Sequence, residues 1–246
     1  MAKNATTARL DQLLAGMGYG SRREVEALAD RDLVLLDGEP VLDVGMRLPL
    51  TEELLTRVTI NGEAIDPLPG MVVMLHKPVG VTCSHKEAGK LIYDLLPGRW
   101  KRRDPVLSSI GRLDKETSGL LLLTDDGLLL HKVISPKHHV AKIYLATLAR
   151  PLPEDAVTKF ASGTLMLEGD DKPLLPAELE IITPTQARVT LHEGRYHQVR
   201  RMFAALGNHV DALHRETVGG LHLPEDLPAG DYRLLTAEDI ARIFAK

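Results

Sequence analysis

The feature that most constrains the fold is the all-leucine run Leu120–Leu123, which lies between Gly119 and the turn sequence Thr124-Asp125-Asp126-Gly127. A short apolar run between turn residues predicts a buried strand. Further strands are predicted at Met71–Leu75, Ile143–Leu148, Ala177–Ile182 and Ala187–Leu191. Strands predominate, and they do not alternate regularly with helices as they would in a doubly wound fold. The sequence therefore predicts an α+β fold with mixed connections.

The beginning of the chain has the signals of a small separate module. Apolar residues from Leu10 to Met17 share one helix face, and Ser21 with Glu24 forms the capping box of a second helix. Two hairpins are predicted after them, Leu33–Leu36 with Val41–Val44 and Arg57–Ile60 with Glu63–Ile65. Each hairpin is indicated by a turn pair, Asp-Gly or Asn-Gly, between its strands.

A break in the pattern at residues 67–70, where two prolines and a glycine occur, marks a domain boundary. We therefore expect a small module over residues 1–68 and a larger domain over residues 69–246. In the larger domain, apolar spacing predicts a helix from about His197 to Leu206, and Thr236 is the predicted N-cap of a last helix.

The composition excludes several classes of protein. Of the 246 residues, 44% are hydrophobic and 26% are charged, which is typical of a globular chain and not of a disordered one. No apolar run approaches the roughly 18 residues of a membrane-spanning helix. The first ten residues lack the apolar core of a secretory signal. The single cysteine, Cys83, excludes a disulfide framework and a thiolate metal cluster. We expect a cytoplasmic protein.

Charge is unevenly distributed along the chain, whose formal net charge is −4. Residues 1–68 carry seven basic and twelve acidic side chains. The balance is reversed in residues 99–142, with nine against five, and in residues 188–215, with five against two. The net charge argues against a nucleic-acid partner, but if the fold brings these two basic segments together, they form one positive face. Otherwise they are parts of a solvated surface.

The first segment with a chemical signature covers residues 110–119, where Gly111, Arg112 and Asp114 precede the predicted buried strand. Such a sequence indicates a polar loop held against the core. Asp114 is a candidate catalytic carboxylate at this position. The alternative is a turn aspartate that accepts backbone hydrogen bonds.

Basic and aromatic residues mark a second segment. Lys137 and Lys142 suit phosphate contacts, and Tyr144 at the start of a strand offers a face for base stacking, unless it is simply a half-buried strand residue. The neighbouring His138 and His139 point to opposite sides of an extended chain. Because no carboxylate lies at ligand spacing from them, no metal site is expected.

A third segment covers residues 193–202. Arg195 precedes the predicted helix, whose N-terminal amides favour anions. His197 and Arg200 lie three residues apart on a face that does not belong to the core. The alternative is a solvated basic helix face.

Taken in this order, the segments resemble the motifs of the RsuA/RluB branch of the pseudouridine synthases. The stretch from Gly111-Arg112-Leu113-Asp114 to Gly127 resembles the catalytic motif, and His76-Lys77-Pro78-Val79-Gly80 resembles an upstream element. Lys142-Ile143-Tyr144 resembles the second motif, and residues 193–202 resemble the third. Residues 9–24 resemble the small RNA-binding module named after ribosomal protein S-four. The C-terminal half is most similar to members that act on small-subunit rRNA.

The resemblance implies a helix-helix-strand RNA-binding module followed by a mixed, mainly antiparallel sheet. It implies the isomerisation of one uridine in 16S rRNA to pseudouridine, without cofactor or metal. Asp114 is the implied essential carboxylate and Arg200 its ionic partner. Tyr144 is expected to stack on the uracil and to help remove the proton from carbon five, and Arg112 to fill the space that the flipped base leaves.

RNA contacts are expected from basic residues of both domains, namely Lys77, Lys137, Lys142, Arg195, Arg22 and Arg23. The expected partner is ribosomal RNA or an assembly particle, and the protein is expected to be a monomer.

Three alternatives to this reading remain open. One is a synthase that acts on large-subunit (23S) rRNA. Another is a non-catalytic RNA-binding protein of ribosome assembly, in which Asp114 is structural. The third is a hydrolase that uses Asp114 with His138 or His139 and releases a free base.

Overall fold

The computed structural model describes residues 6–245, so residues 1–5 and residue 246 lie outside the description. The described chain divides into two compact units. The first runs to Met71 and also takes in Leu96–Ser108 and Thr124–Asp126. The second comprises Val72–Leu95, Ser109–Leu123 and the chain from Gly127 onward. The first unit thus includes two short segments that the sequence pattern assigns to residues 69–246.

The first unit contains the short helices α1 (Leu10–Gly16), α2 (Arg22–Ala29) and α3 (Leu54–Arg57). Its strands are β1 (Thr7–Arg9), β2 (Val34–Leu36), β3 (Glu39–Pro40), β4 (Arg47–Pro49), β5 (Val58–Ile60) and β6 (Glu63–Ala64). The capping box of α2 is confirmed, because the Ser21 hydroxyl accepts from the Glu24 N–H and the Glu24 carboxylate accepts from the Ser21 N–H. Buried Leu10, Leu14 and Val25 pack the helices against the strands.

The first predicted hairpin is shorter in the structure than in the sequence pattern. Strands β2 and β3 pair, but Val41–Val44 forms no strand, and Leu42 is 96% exposed. The carbonyl of Val44 accepts the N–H of Asp11, and the carbonyl of Met46 accepts the N–H of Leu10. After the Val41 N–H, which donates to the Val34 carbonyl, the ladder stops, and the carbonyls of Val44 and Met46 instead satisfy free N–H groups at the start of α1.

The remaining strands are β7 (Val72–Lys77), β8 (Ser108–Ser109), β9 (Thr117–Thr124), β10 (Lys142–Leu148), β11 (Glu178–Thr183), β12 (Gln186–Leu191), β13 (Val210–Val218), β14 (Leu221–His222) and β15 (Tyr232–Leu234). The accompanying helices are α4 (Gly127–Ile134), α5 (Ala156–Ala161), α6 (Gln198–Ala205) and α7 (Ala237–Arg242). Short 3₁₀ turns lie at Ile92–Leu95, Gly98–Arg102 and Pro136–His138. Thr236 caps α7 as expected.

The main sheet has the order β11-β12-β10-β13-β9-β7-β15, with β14 beside β13 and β8 beside β9. Strand β13 runs parallel to β9, whereas its pairings with β10 and β14 are antiparallel. The α+β class and the mixed, mainly antiparallel sheet are thus confirmed. Leu120–Leu123 is at most 1% exposed and forms the buried part of β9. No helix within residues 6–245 is both long and apolar enough to cross a membrane.

The register of β13 determines which side chains meet at the centre of the sheet. Ile143 pairs with Thr217, but the next residue of β10, Tyr144, pairs with Arg215, so Glu216 is an additional residue in the ladder. On the other side, Arg215 pairs with Gly119 of β9. Gly119 has φ +113°, and a Cβ there would overlap the backbone of Arg215. A glycine is required at this position because the two strands approach so closely.

Candidate active site

A cavity of about 630 Å³ lies in the second unit. Its walls come from the loop before β9, the central strands β10 and β13, and the segment that leads into α6. The ionisable side chains that line it are Cys83, Glu87, Arg112, Asp114, Lys115, Lys142, Tyr144, Arg195, Tyr196, His197 and Arg215. The cavity therefore brings together residues from all three motif segments.

Lys77 holds the loop that carries Asp114. Its side chain is completely buried, and Nζ donates to the carbonyls of Pro78, Asp114, Lys115 and Thr117 at 3.0, 3.1, 3.3 and 2.8 Å. Burial lowers the pKa of Lys77. Four carbonyl dipoles around one ammonium fix the path of the loop. The expected phosphate contact of Lys77 is wrong, because the ammonium is enclosed and its donors are used within the loop.

The Asp114 carboxylate lies at the wall of the cavity, with its side chain 29% exposed. Its Oδ1 is 3.4 Å from Nε2 of His197. His197 is the N-cap residue of α6 and has a left-handed backbone, with φ +49°. Its ring stacks on Tyr196 at a centroid distance of 3.8 Å. The turn before α6 thus places an imidazole beside the carboxylate.

Tyr144 and Arg215 form the wall of the cavity that belongs to the sheet. They are cross-strand partners on β10 and β13. Arg215 is 2% exposed; its Nε donates to the Leu120 carbonyl at 2.7 Å and its Nη1 to the Tyr144 hydroxyl at 3.4 Å. The guanidinium carbon lies 5.8 Å from the centroid of the Tyr144 ring. The sheet therefore presents an aromatic ring and a buried cation together.

Two family models match the chain. The model of RNA pseudouridylate synthase matches residues 71–205, and that of the S4 domain matches residues 8–54. Ribosomal small subunit pseudouridine synthase A of Escherichia coli (strain K12) is 42% identical over 243 residues, which cover 96% of this chain and 99% of that protein. The chain belongs to the RNA pseudouridylate synthase family.

Other relatives of this synthase agree with that assignment. The protein named ribosomal small subunit pseudouridine synthase A in Vibrio cholerae serotype O1 is 40% identical over 236 residues, covering 96% of this chain and 99% of that protein. A solved structure described as a pseudouridylate synthase shares 39% sequence identity and superimposes with a TM-score of 0.66, covering 96% of this chain and 99% of that chain. The resemblance drawn from the motifs is therefore confirmed.

The predicted ion pair between Arg200 and Asp114 is not formed in this synthase. Arg200 donates from Nη1 to the Val210 carbonyl at 2.8 Å and from Nη2 to the Glu116 carbonyl at 3.0 Å. It thereby joins α6 to the start of β13 and to the loop two residues beyond Asp114. The geometry makes Arg200 a residue that positions this loop.

Arg195 lines the cavity of the synthase but has its donors engaged elsewhere. Its guanidinium pairs with Asp170 at 2.8 Å and with Glu193 at 3.2 Å, and it also donates to the carbonyls of Lys172 and Pro173. The neighbouring carboxylate of Asp170 raises the pKa of Arg195. Protein acceptors take four of the five guanidinium N–H donors, and the expected phosphate contact of Arg195 stays a prediction.

The three other residues of the catalytic domain that were predicted to contact RNA differ in where they lie relative to the cavity. Lys142 lines the cavity and donates to the Val140 carbonyl at 3.2 Å; burial, together with Arg215, lowers its pKa to about 8. Arg112 is exposed at the cavity. Lys137 is exposed in the short turn Pro136–His138, away from the cavity lining. Their RNA contacts stay predictions.

Two arginines of the S4 domain of the synthase form ion pairs within that domain. Arg9 and Arg22 both bind the buried carboxylate of Asp11, which Arg22 approaches to 2.6 Å. The hydrogen bond from Arg9, which outweighs burial, lowers the pKa of Asp11 to about 2. Arg23 is exposed beside this cluster. RNA contacts of Arg22 and Arg23 stay predictions.

The histidines considered for hydrolysis lie outside the cavity lining of the synthase. His138 and His139 are exposed, and the ring of His139 faces His192 at 6.4 Å. Within the described part of the chain, no group of three or more His, Cys, Asp or Glu side chains is placed to hold a metal ion. The sequence did not single out Arg215, which lies in a strand that the pattern missed.

Proposed function

We propose that the chain isomerises a uridine of small-subunit ribosomal RNA to pseudouridine, with Asp114 as the essential carboxylate. The observation that carries this proposal is the placement of Asp114 at the wall of a cavity that also contains Tyr144. The names of the relatives, at 40–42% identity over nearly the whole chain, support small-subunit rRNA as the substrate.

The cavity suits a base that has left the RNA stack. A uridine within stacked RNA shields its glycosidic bond, so the nucleotide must be extruded into the pocket before reaction. The ring of Tyr144 offers a stacking face, and the exposed Arg112 is the candidate to fill the vacated space. Asp114 either attacks C1′ or removes a ribose proton, and both routes require the ionised carboxylate. His197 and the Lys77-bound loop hold that carboxylate in place.

The S4 domain is proposed to supply affinity and choice of site. Its exposed Arg23, together with the outer faces of Arg9 and Arg22, is the candidate contact with RNA phosphates. We propose a monomer that acts in the cytoplasm, where ribosomal RNA is assembled. Chemistry and recognition are then divided between the two units.

The test is isomerisation by the purified protein of small-subunit and large-subunit rRNA transcripts, alone and with ribosomal proteins. Carbodiimide marking and primer extension locate each pseudouridine. We expect one modified position in the small-subunit RNA with wild type and with the control Asp226→Asn, an exposed carboxylate. We expect none with Asp114→Asn.

Three outcomes would contradict the proposal. A modified position in large-subunit RNA alone would reassign the substrate. Release of free uracil would indicate hydrolysis. RNA binding without product under every assembly condition would indicate a non-catalytic protein.

A further inference from the structure

Two cations at the sheet wall of the cavity have no carboxylate partner. Arg215 contacts the Leu120 carbonyl and the Tyr144 hydroxyl, and its Nη2 is buried without a hydrogen-bond partner. Lys142 contacts the Val140 carbonyl. Within residues 6–245, neither side chain forms an ion pair with Asp or Glu. Lys142 also lies close enough to Arg215 for the guanidinium to depress its pKa.

An uncompensated cation is costly to bury, because the protein must replace its hydration with other acceptors. Lys77 shows how this chain compensates such a charge, with four carbonyls around one ammonium. Arg215 is equally enclosed, yet two acceptors serve its whole guanidinium. The surroundings of Arg215 are therefore suited to a ligand that carries negative charge.

The burial of Arg215 indicates which part of the RNA meets it. The RNA backbone continues in both directions from the target nucleotide, so its phosphates stay at the mouth of the cavity. The exposed Arg112 and Tyr196 lie there. The extruded base is the part that reaches Tyr144 and Arg215. A uridine base is neutral in the substrate, and it becomes an anion when the glycosidic bond breaks.

We propose that Arg215, assisted by Lys142, stabilises the uracil anion formed when the C1′–N1 bond breaks. This assignment deepens the proposed function and rests on it. The electron pair of the broken bond stays on the base, and the charge spreads over N1, O2 and O4. Cations fixed before the reaction stabilise such developing charge without reorganisation.

The remaining steps conserve all atoms. Asp114 either forms an ester to C1′ or takes the C2′ proton to leave a glycal. After the base rotates, C5 supplies the electron pair for the new bond to C1′, and the carboxylate leaves or returns its proton. C5 then loses its proton and N1 gains one. The two cations act while the base carries the charge, so they favour the transition state over the bound substrate.

The test measures single-turnover rates and RNA affinity of Arg215→Gln and Lys142→Met. Its substrates are rRNA fragments that carry uridine or 5-fluorouridine at the target. Fluorine at C5 withdraws electrons and stabilises the uracil anion, so it replaces part of the stabilisation that the cation supplies. The readout with both substrates is consumption of the target nucleotide, measured in nuclease digests.

For Arg215→Gln we expect a rate about 100-fold lower with uridine, because the variant loses one donor to the developing negative charge. Its RNA affinity should stay within about twofold of wild type. With 5-fluorouridine the deficit should be at least about tenfold smaller. Lys142→Met should change in the same direction by a smaller factor, and it keeps the test valid if Arg215→Gln fails to fold. Arg233→Gln, an exposed arginine of β15, should match wild type.

Equal rate deficits with uridine and 5-fluorouridine would overturn the assignment, because a structural defect does not depend on the stability of the leaving group. A loss confined to affinity would also overturn it and would indicate a phosphate contact. These results differ from failure of the proposed function, in which wild type itself converts no uridine in small-subunit RNA.

Discussion

Two groups of cations line or border the same cavity and differ in what compensates them. Arg195 and Arg201 both bind Asp170, at 2.8 and 2.7 Å, and Arg195 also binds Glu193. Arg215, in contrast, has no carboxylate among the described residues. The first group belongs to the basic motif at residues 193–202, and yet carboxylates of the protein compensate its charge. Availability of a cation to substrate is decided by its partners and not by its position in a motif.

The largest expected effect comes from the carboxylate of the cavity. Asp114→Asn keeps the shape of the side chain and removes the charge on which bond breaking depends, so the rate should fall by about ten-thousand-fold or more. Melting temperature should change little, because the side chain is partly exposed and its closest charged or polar side-chain contact is His197 at 3.4 Å. Single-turnover isomerisation and calorimetry measure the two effects. Retention of a tenth of the wild-type rate would exclude Asp114 as the catalytic carboxylate.

A smaller effect is expected at the compensated buried cation, Lys77. Lys77→Met removes the ammonium that joins the Pro78 carbonyl to three carbonyls of the loop, so it should lower the unfolding free energy by about 3 kcal/mol. Loosening the loop should misplace Asp114 and lower the rate by about 100-fold. Urea unfolding and single-turnover assays test both values, with the exposed Lys159→Met as control. Native stability in the Lys77 variant would show that the carbonyls find other donors.

The third prediction concerns pH and Lys142, whose pKa is lowered to about 8 in the folded protein from an ordinary 10.5. The free enzyme loses this charge as pH rises through 8, so kcat/KM should fall by about tenfold around that pH. The free energy of unfolding should rise with pH between pH 8 and 10.5. In that range the unfolded chain still holds the Lys142 proton that the folded chain has lost, so raising the pH favours the folded state. If Lys142→Met retains the inflection near pH 8, another group is responsible for it.

The smallest effect is expected from Asp170→Asn, the same chemical change as Asp114→Asn but within the group of cations that carboxylates compensate. Hydrogen bonds from Arg201 and Arg195 lower the pKa of Asp170, so its contribution to stability is present at neutral pH and is lost as pH falls below the ordinary range of a carboxyl group. We expect a slightly lower melting temperature and a rate within about threefold of wild type, because the pairs are partly exposed and both arginines keep other acceptors. A rate loss comparable to that of Asp114→Asn would remove the distinction between the two groups.

The sequence predicted those elements whose signals are local. The capping box at Ser21, the N-cap at Thr236 and the buried strand at Leu120–Leu123 depend on neighbouring residues, and the structure confirms them. Strand β13 was missed, because charged residues interrupt its apolar alternation and an additional residue disturbs its register. Local pattern thus located the loop that carries Asp114 but not the strand opposite it.

The sequence predicted several residues that line the candidate site, but it did not predict which side chains and carbonyls bind one another there. Asp114, Tyr144 and Lys142 were singled out by motif, and they do line one cavity. The role of Lys77 depends on carbonyls up to 40 residues away, which no spacing rule shows. The partners of Arg200 likewise depend on how α6 packs beside β13.

The additional residue in β13 also determines whether a positive or a negative side chain lies next to Tyr144 at the cavity. In an uninterrupted ladder the residue opposite Tyr144 would be Glu216, which now binds Arg188 at 2.7 Å. The register shift at Glu216 therefore places a cation, and not an anion, next to the tyrosine. The same strand paired without this shift would have the same composition of charges and the opposite preference for a departing anion. The pairing register of the backbone, as much as side-chain identity, therefore determines whether a departing anion lies near a positive or a negative side chain.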